Sequence, residues 1–169
     1  MTNIPPIAKD APIRASFEKI VVNAGIGRLS QLPQFTEKVL PEIIRDISLI
    51  TGQKPSPRAS RKSIAGFKIR EGQVIGLKVT LRKKRMEDFF RRMVWVALPR
   101  VKDFRGLNPR VIDQGGTLNI GFRDQYVFPE IDPEESPRSF AFEVTVVPKG
   151  RDREAAIARY RALGVPLRK

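Results

Sequence analysis

In the stretch 73–82 the chain alternates from residue 75 onward: Ile75, Leu77, Val79 and Leu81 are apolar, and Gly76, Lys78, Thr80 and Arg82 stand between them. A strand turns successive side chains to opposite faces, so this spacing predicts a half-buried strand. One face then belongs to a core, and the other offers Lys78, Thr80 and Arg82 to a polar partner. Shorter runs follow the same grammar. Residues 19–23 carry Ile20, Val21 and Val22 ahead of the turn-prone Gly25-Ile26-Gly27. Residues 117–122 and 139–147 predict two more strands, the second alternating Phe140, Phe142, Val144 and Val146.

Helical spacing separates these strands. Phe35, Val39, Ile43, Ile47 and Ile50 recur every three or four residues, with Leu40 and Ile44 alongside, and Gly52 ends the stretch. Pro41 predicts a kink or a restart inside it. A second stripe, Met86, Phe89, Phe90, Met93, Val94, Ala97 and Leu98, is expected to end at Pro99, with Glu87-Asp88 offsetting the dipole at its start. Phe89 and Phe90 lie on that stripe and are expected in the core, whereas Trp95 lies off it and is assigned neither to packing nor to binding. A third helix runs from an N-cap at Asp152 to Leu163, with Gly164 and Pro166 as stop signals. The order strand, helix, strands, helix, strands, helix predicts an α+β two-layer sandwich, mainly an antiparallel sheet with helices on one face. At 169 residues and 41% hydrophobic content, one domain over 1–169 is expected, with 1–16 as an extended lead.

Charge narrows the function. The 32 Lys and Arg against 18 Asp and Glu leave +14, which predicts a polyanionic partner. Residues 54–110 hold 17 of those bases and only 4 acids, so nearly all the excess is focused there. Within this window, 54–72 with Pro55 and Pro57 predicts an edge strand and a long basic loop between strands. Arg58, Arg61, Lys62, Lys68 and Arg70, together with Lys78 and Arg82, are candidate phosphate contacts. Thr80, Asn23 and Gln53 add uncharged donors and acceptors suited to 2′-hydroxyls and base edges. Each has a plainer alternative: a disordered tip for the loop, a turn-capping amide for Asn23, a solvated corner for Arg82-Lys83-Lys84-Arg85.

Other chemistries find little support. With no cysteine and no histidine, disulfides, thiolate metal sites, the usual zinc ligands and the commonest general base are all missing. The third glycine of a dinucleotide fingerprint after Gly25-Ile26-Gly27 would fall at Ser30, and no phosphate-binding P-loop occurs. Prolines interrupt Glu130, Asp132, Glu134 and Glu135, which predicts a solvated acidic loop or a contact for a basic protein rather than a metal site. No apolar run has signal-peptide or membrane-span length, so no membrane partner is expected. The leading expectation is an RNA-binding protein without cofactor or metal. A generic basic nucleic-acid coat protein and a metal-dependent RNA hydrolase remain the alternatives.

Several segments carry a family resemblance. Thr51-Gly52-Gln53-Lys54-Pro55, Ser63-Ile64-Ala65-Gly66-Phe67-Lys68-Ile69-Arg70-Glu71-Gly72, Leu98-Pro99-Arg100-Val101-Lys102-Asp103-Phe104-Arg105-Gly106-Leu107 and Phe128-Pro129-Glu130-Ile131 stand in family order. Together they resemble the large-subunit ribosomal protein numbered five, bacterial type. The resemblance implies a non-catalytic protein of the cytoplasmic ribosome that attaches 5S rRNA to the central protuberance and has no small-molecule substrate. It also implies contact with 23S rRNA, with the P-site tRNA, and with the small-subunit head protein numbered thirteen across an intersubunit bridge. By position, it implies that Asn23, Gln53, Lys54, Thr80 and Arg82 lie on the 5S-facing sheet surface. Ser63, Gly66, Lys68, Arg70 and Gly72 match the loop near tRNA, and Asp113, Arg123, Gln125 and Glu130 fall in the region nearest the bridge. Two features depart from the family: a short Pro-rich lead stands where it has a helix before the first strand, and its Gly-Asn pair is Gly116-Thr117.

Overall fold

The computed structural model describes residues 13–168. Five strands form one antiparallel sheet: β1 (Phe17–Gly25), β2 (Ser56–Ala59), β3 (Val74–Leu81), β4 (Leu118–Phe122) and β5 (Phe142–Pro148), in the order β2-β3-β1-β5-β4. Its register lines up three apolar rows, each four strands wide. Leu81, Ile20, Val146 and Leu118 form the first, Val79, Val22, Val144 and Ile120 the second, Leu77, Ala24, Phe142 and Phe122 the third. All twelve are buried, while Ile75, nearer the start of β3, is partly covered.

The helices α1 (Ile13–Ser16), α2 (Leu40–Thr51), α3 (Lys83–Arg92), α4 (Leu98–Arg100) and α5 (Arg153–Ala162) add their buried side chains to that face alone, through residues such as Ile43, Ile47, Phe89, Phe90 and Tyr160. The α+β two-layer arrangement thus follows from the period-two strands and the helical stripes. The lead, expected to be extended to residue 16, closes instead into α1 and buries Ile13, because an apolar side chain is available there to dock on the core. Residues 1–12 and 169 lie outside the described residues.

Both prolines in helical stretches are handled in the same way. A π-helical turn, Phe35–Val39, precedes Pro41, and another, Met93–Ala97, precedes Pro99. In each, the closing backbone N–H reaches five residues back, Leu40 to Phe35 and Leu98 to Met93. The wider turn relieves the clash between a proline ring and the carbonyl four residues earlier. So α2 restarts across Pro41, and the second stripe passes Pro99 and ends at Arg100 rather than at the proline. Gly52 caps α2 in the left-handed region at φ +67°, its N–H donating to the Ser48 carbonyl at 2.8 Å. Trp95 is rim packing: it is partly buried, and the Arg91 guanidinium lies 5.6 Å from its ring centroid.

α5 is fixed to the turn before β4. Asp152 accepts from the N–H groups of Glu154 and Ala155, and the buried Tyr160 hydroxyl lies 2.9 Å from the Gly116 carbonyl and 3.2 Å from that of Val146. Gly116 has φ +79°, and a Cβ there would stand 2.7 Å from the Ala156 Cβ. Gly116→Ala therefore combines backbone strain with overpacking and should cost about 1–3 kcal/mol, measured as a lower urea midpoint with an unchanged denaturant slope.

Candidate nucleic-acid interface

The same register that buries three apolar rows turns a polar set outward. Lys78 stands between Ser56 of β2 and Asn23 of β1, and Asn23 is followed across the sheet by Glu143 of β5. In the next row Thr80 pairs with Val21, and Val21 with Thr145, whose hydroxyl donates to Asn119 Oδ1 at 3.0 Å. None of these outward residues is buried. Charge is graded along the face: Arg58, Lys78 and Arg82 lie on or beside β2 and β3, whereas β5 contributes Glu143. Asn23 is an exposed strand residue, so it is no turn-capping amide. Gln53 is different, because its Nε2 donates to the Thr80 carbonyl at 3.3 Å and its Oε1 accepts from Arg85 at 3.4 Å. Its amide braces β3 and Arg85, while the neighbouring Lys54 is exposed.

The loop after β2 carries Arg61, Lys62, Ser63, Gly66, Lys68, Arg70 and Gly72, all exposed, and Arg58 in β2 extends the set. It is a small hairpin rather than a shapeless tip. Ile64 and Ile69 exchange backbone hydrogen bonds of 2.9 and 3.2 Å around the turn Ala65–Phe67. Ser63 Oγ accepts from the Glu71 N–H at 2.9 Å, and the Ser60 N–H donates to the Gln73 carbonyl at 2.8 Å. Two amides absent from the sequence expectations tie the hairpin to the body: Gln31 Nε2 donates to the Phe67 carbonyl at 2.9 Å, and Gln73 Nε2 to Ser30 Oγ at 2.8 Å. Phe67 at the tip is 68% exposed.

Where β3 gives way to α3, Arg82 is followed by Lys83, Lys84 and Arg85 in the first helical turn. Positive charge at a helix N-terminus opposes the macrodipole at about 0.3–1 kcal/mol each, and no acidic residue there compensates. An external anion would relieve this conflict. Glu87 does not play the dipole-offsetting role expected of it, because α3 begins four residues earlier; it sits between Arg14 at 3.1 Å and Arg91 at 3.0 Å.

The four residues matched to a bridge region are not one cluster. Asp113 precedes β4 and Arg123 follows it, so the strand separates them, and Asp113 Oδ1 is engaged by the Thr117 N–H at 2.8 Å. Arg123 is exposed, and Glu130 is exposed with Arg92 beside it. Gln125 must be withdrawn as a contact residue. It is fully buried, donating to the Arg138 carbonyl at 2.8 Å and accepting from the Phe140 N–H at 3.1 Å. It belongs to a polar node that pins the connection between β4 and β5 to α2. Ser136 donates to buried Asp46 at 2.7 Å, the Tyr126 hydroxyl donates to the Ser136 carbonyl at 2.7 Å, Arg45 reaches Glu135 at 3.3 Å, and Arg138 reaches Glu42 at 2.7 Å. The acidic connection is therefore held by arginines, and among the described residues no three carboxylates converge to hold a metal ion.

Comparison with known proteins agrees with this framework. Residues 15–70 match the family described as Ribosomal protein L5, and residues 74–167 match the ribosomal L5P family C-terminus. The chain belongs to the ribosomal protein L5 family. Similar relatives include the Large ribosomal subunit protein uL5 of Syntrophomonas wolfei, 45% identical over 151 residues, 89% of this chain and 83% of that protein. The protein of the same name from Fusobacterium nucleatum is 42% identical over 171 residues, 98% and 91% of the two chains. Membership in the L5 family makes the chain a structural, non-enzymatic constituent of the ribosome.

The polar node has a pH signature. Burial raises the Asp46 pKa above its ordinary value, with the Ser136 hydrogen bond and Arg45 opposing only in part. The folded state then binds the proton more tightly than the unfolded chain, and stability falls as pH rises from the ordinary carboxylate value through the raised one. Asp46→Asn removes this slope, so its melting temperature relative to the unaltered protein should climb as pH is raised from about 4 towards neutrality. A difference that stays flat or declines over that range would contradict the assignment.

Proposed function

We propose that this ribosomal protein serves in the large subunit and binds 5S rRNA through the β2–β3–β1 half of its open sheet face. The observation that carries this reading is the register of β3, which leaves Lys78 and Thr80 on the uncovered face beside Asn23, with Arg82 directly beyond. Phosphates would meet Arg58, Lys78, Arg82 and the cationic first turn of α3, where the helix end already favours an anion. Thr80 and Asn23 would meet 2′-hydroxyls or base edges. Most of the affinity is then electrostatic, and a few fixed polar groups set the register of the RNA.

The finer contacts belong to the same proposal. The hairpin at 63–72, projecting with Lys68 and Arg70 exposed, is suited to the P-site tRNA, and the focused positive charge to 23S rRNA as well. Arg123 and Glu130, exposed beyond β4, are candidates for the head protein numbered thirteen, and Gln125 is not among them.

Lys78→Ala with Arg82→Ala should leave the fold intact and weaken 5S binding, flattening the plot of log affinity against log salt by about two units. Thr80→Val should cost about 1 kcal/mol with no change in that slope. An unchanged salt slope in the folded double variant rejects this surface.

A further inference from the structure

The central strand and one of its neighbours part before the sheet ends. β1 and β5 remain paired as far as Ala24 and Phe142; beyond that pair β1 continues into Gly25-Ile26-Gly27 while 139–141 leaves the strand ladder, its Phe140 N–H held by Gln125 Oε1 at 3.1 Å. A groove of about 590 Å³ opens between them, lined by Gly25, Gly27, Arg28, Phe67, Ser139 and Ala141 among others. Its volume lies within the usual range of small-molecule sites.

Three features define what fits. First, one wall is Phe67, 68% exposed although the phenylalanines on the strands and in α3 are buried. The hairpin holds that residue through the Ile64–Ile69 pair and the Gln31 hydrogen bond to its carbonyl, so its backbone is fixed before any ligand arrives. Second, the groove contains two glycines with space around them: a Cβ on Gly25 would meet nothing within 4 Å, and one on Gly27 only the Ile75 Cβ at 4.0 Å. A flat group can therefore lie against backbone. Third, the rim is cationic, with Arg28 lining the groove and Lys68 and Arg70 exposed on the hairpin.

An aromatic wall, a slot bordered by backbone and a phosphate-attracting rim together match an unstacked nucleotide rather than a peptide. Every base presents a π-face to an aromatic ring, and the exposed backbone at Ser139 and Ala141, outside the β1–β5 ladder, can meet a base edge. We infer that this groove receives a single extruded base of a structured RNA, stacked on Phe67, with its phosphates towards Arg28 and the hairpin cations. This deepens the RNA-binding reading above and rests on it, but it uses residues other than Lys78 and Arg82, at the end of the sheet.

The test uses two short RNA hairpins at equal salt, identical except that one carries a single bulged 2-aminopurine and the other is fully paired, with 5S rRNA measured alongside. The protein should bind the bulged hairpin about tenfold more tightly and change the 2-aminopurine fluorescence, the size expected of one base–aromatic stack. Phe67→Ala should abolish the preference, and Phe67→Tyr should keep it. Gly27→Leu, which fills the groove without a strained φ, should abolish it too. The salt slope should be the same in all three, since no cation is altered. Protein that binds 5S rRNA but not the bulge preferentially overturns the groove alone; protein that binds neither overturns both readings. Retention of the preference in Phe67→Ala and Gly27→Leu also overturns it, as does displacement of the bulged hairpin by an uncharged phenylalanine-bearing peptide.

Discussion

Burial of three apolar rows beneath the helices fixes everything else on the sheet. Because side chains alternate with a period of two, a slip of one residue in β3 would drive Lys78 and Thr80 into the core and expel Leu77, Val79 and Leu81. Each of those aliphatic side chains is worth about 1.5–3 kcal/mol when removed from water, and burying an unpaired lysine costs more still. The polar face is thus a consequence of the core: the hydrophobic effect chooses the register, and the register displays the cations. The open face needs no stabilisation of its own, which leaves its residues free to be selected for a partner.

Against that background, the features that oppose stability are informative. Lys83, Lys84 and Arg85 crowd the positive end of α3, and the hairpin exposes Phe67. Each breaks a local rule that the rest of the chain obeys, and such conflicts concentrate where a protein meets something else. On the opposite side, Arg45, Arg92 and Arg138 are paired with acids. The arginines there are used for structure, while the cations along β2, the hairpin and β3 have no carboxylate partner among the described residues.

Much of this was legible in the sequence because periodicity survives without coordinates. The alternation at 73–82 named the buried and open faces of β3, the 86–98 stripe put Phe89 and Phe90 in the core, and Asp152 marked the start of α5. What failed depended on partners distant along the chain. Gln125 reads as a surface amide, yet the carbonyl of Arg138 and the N–H of Phe140 draw it inside, and the bonds by which the Gln53 amide braces β3 and Arg85 were equally invisible. Composition shows which groups can hydrogen-bond and not which bond they make. The π turns before Pro41 and Pro99 were beyond reach for a similar reason: proline announces a break in the ladder without saying how the chain absorbs it.

Lysine modification tests the central claim most directly, because the charged faces differ in which lysines they carry. Folded protein alone and in complex with 5S rRNA would be treated with an amine-specific acetylating reagent, and each lysine read by mass spectrometry. If the open face docks the RNA, Lys54 and Lys78 are protected in the complex, while Lys38 in the first π turn and Lys149, whose Nζ donates to the Arg14 carbonyl of α1 at 3.0 Å, keep the reactivity they have in the free protein. Protection of Lys38 and Lys149 with Lys78 still reactive would contradict the account, since the RNA would then lie on the wrong side of the sheet.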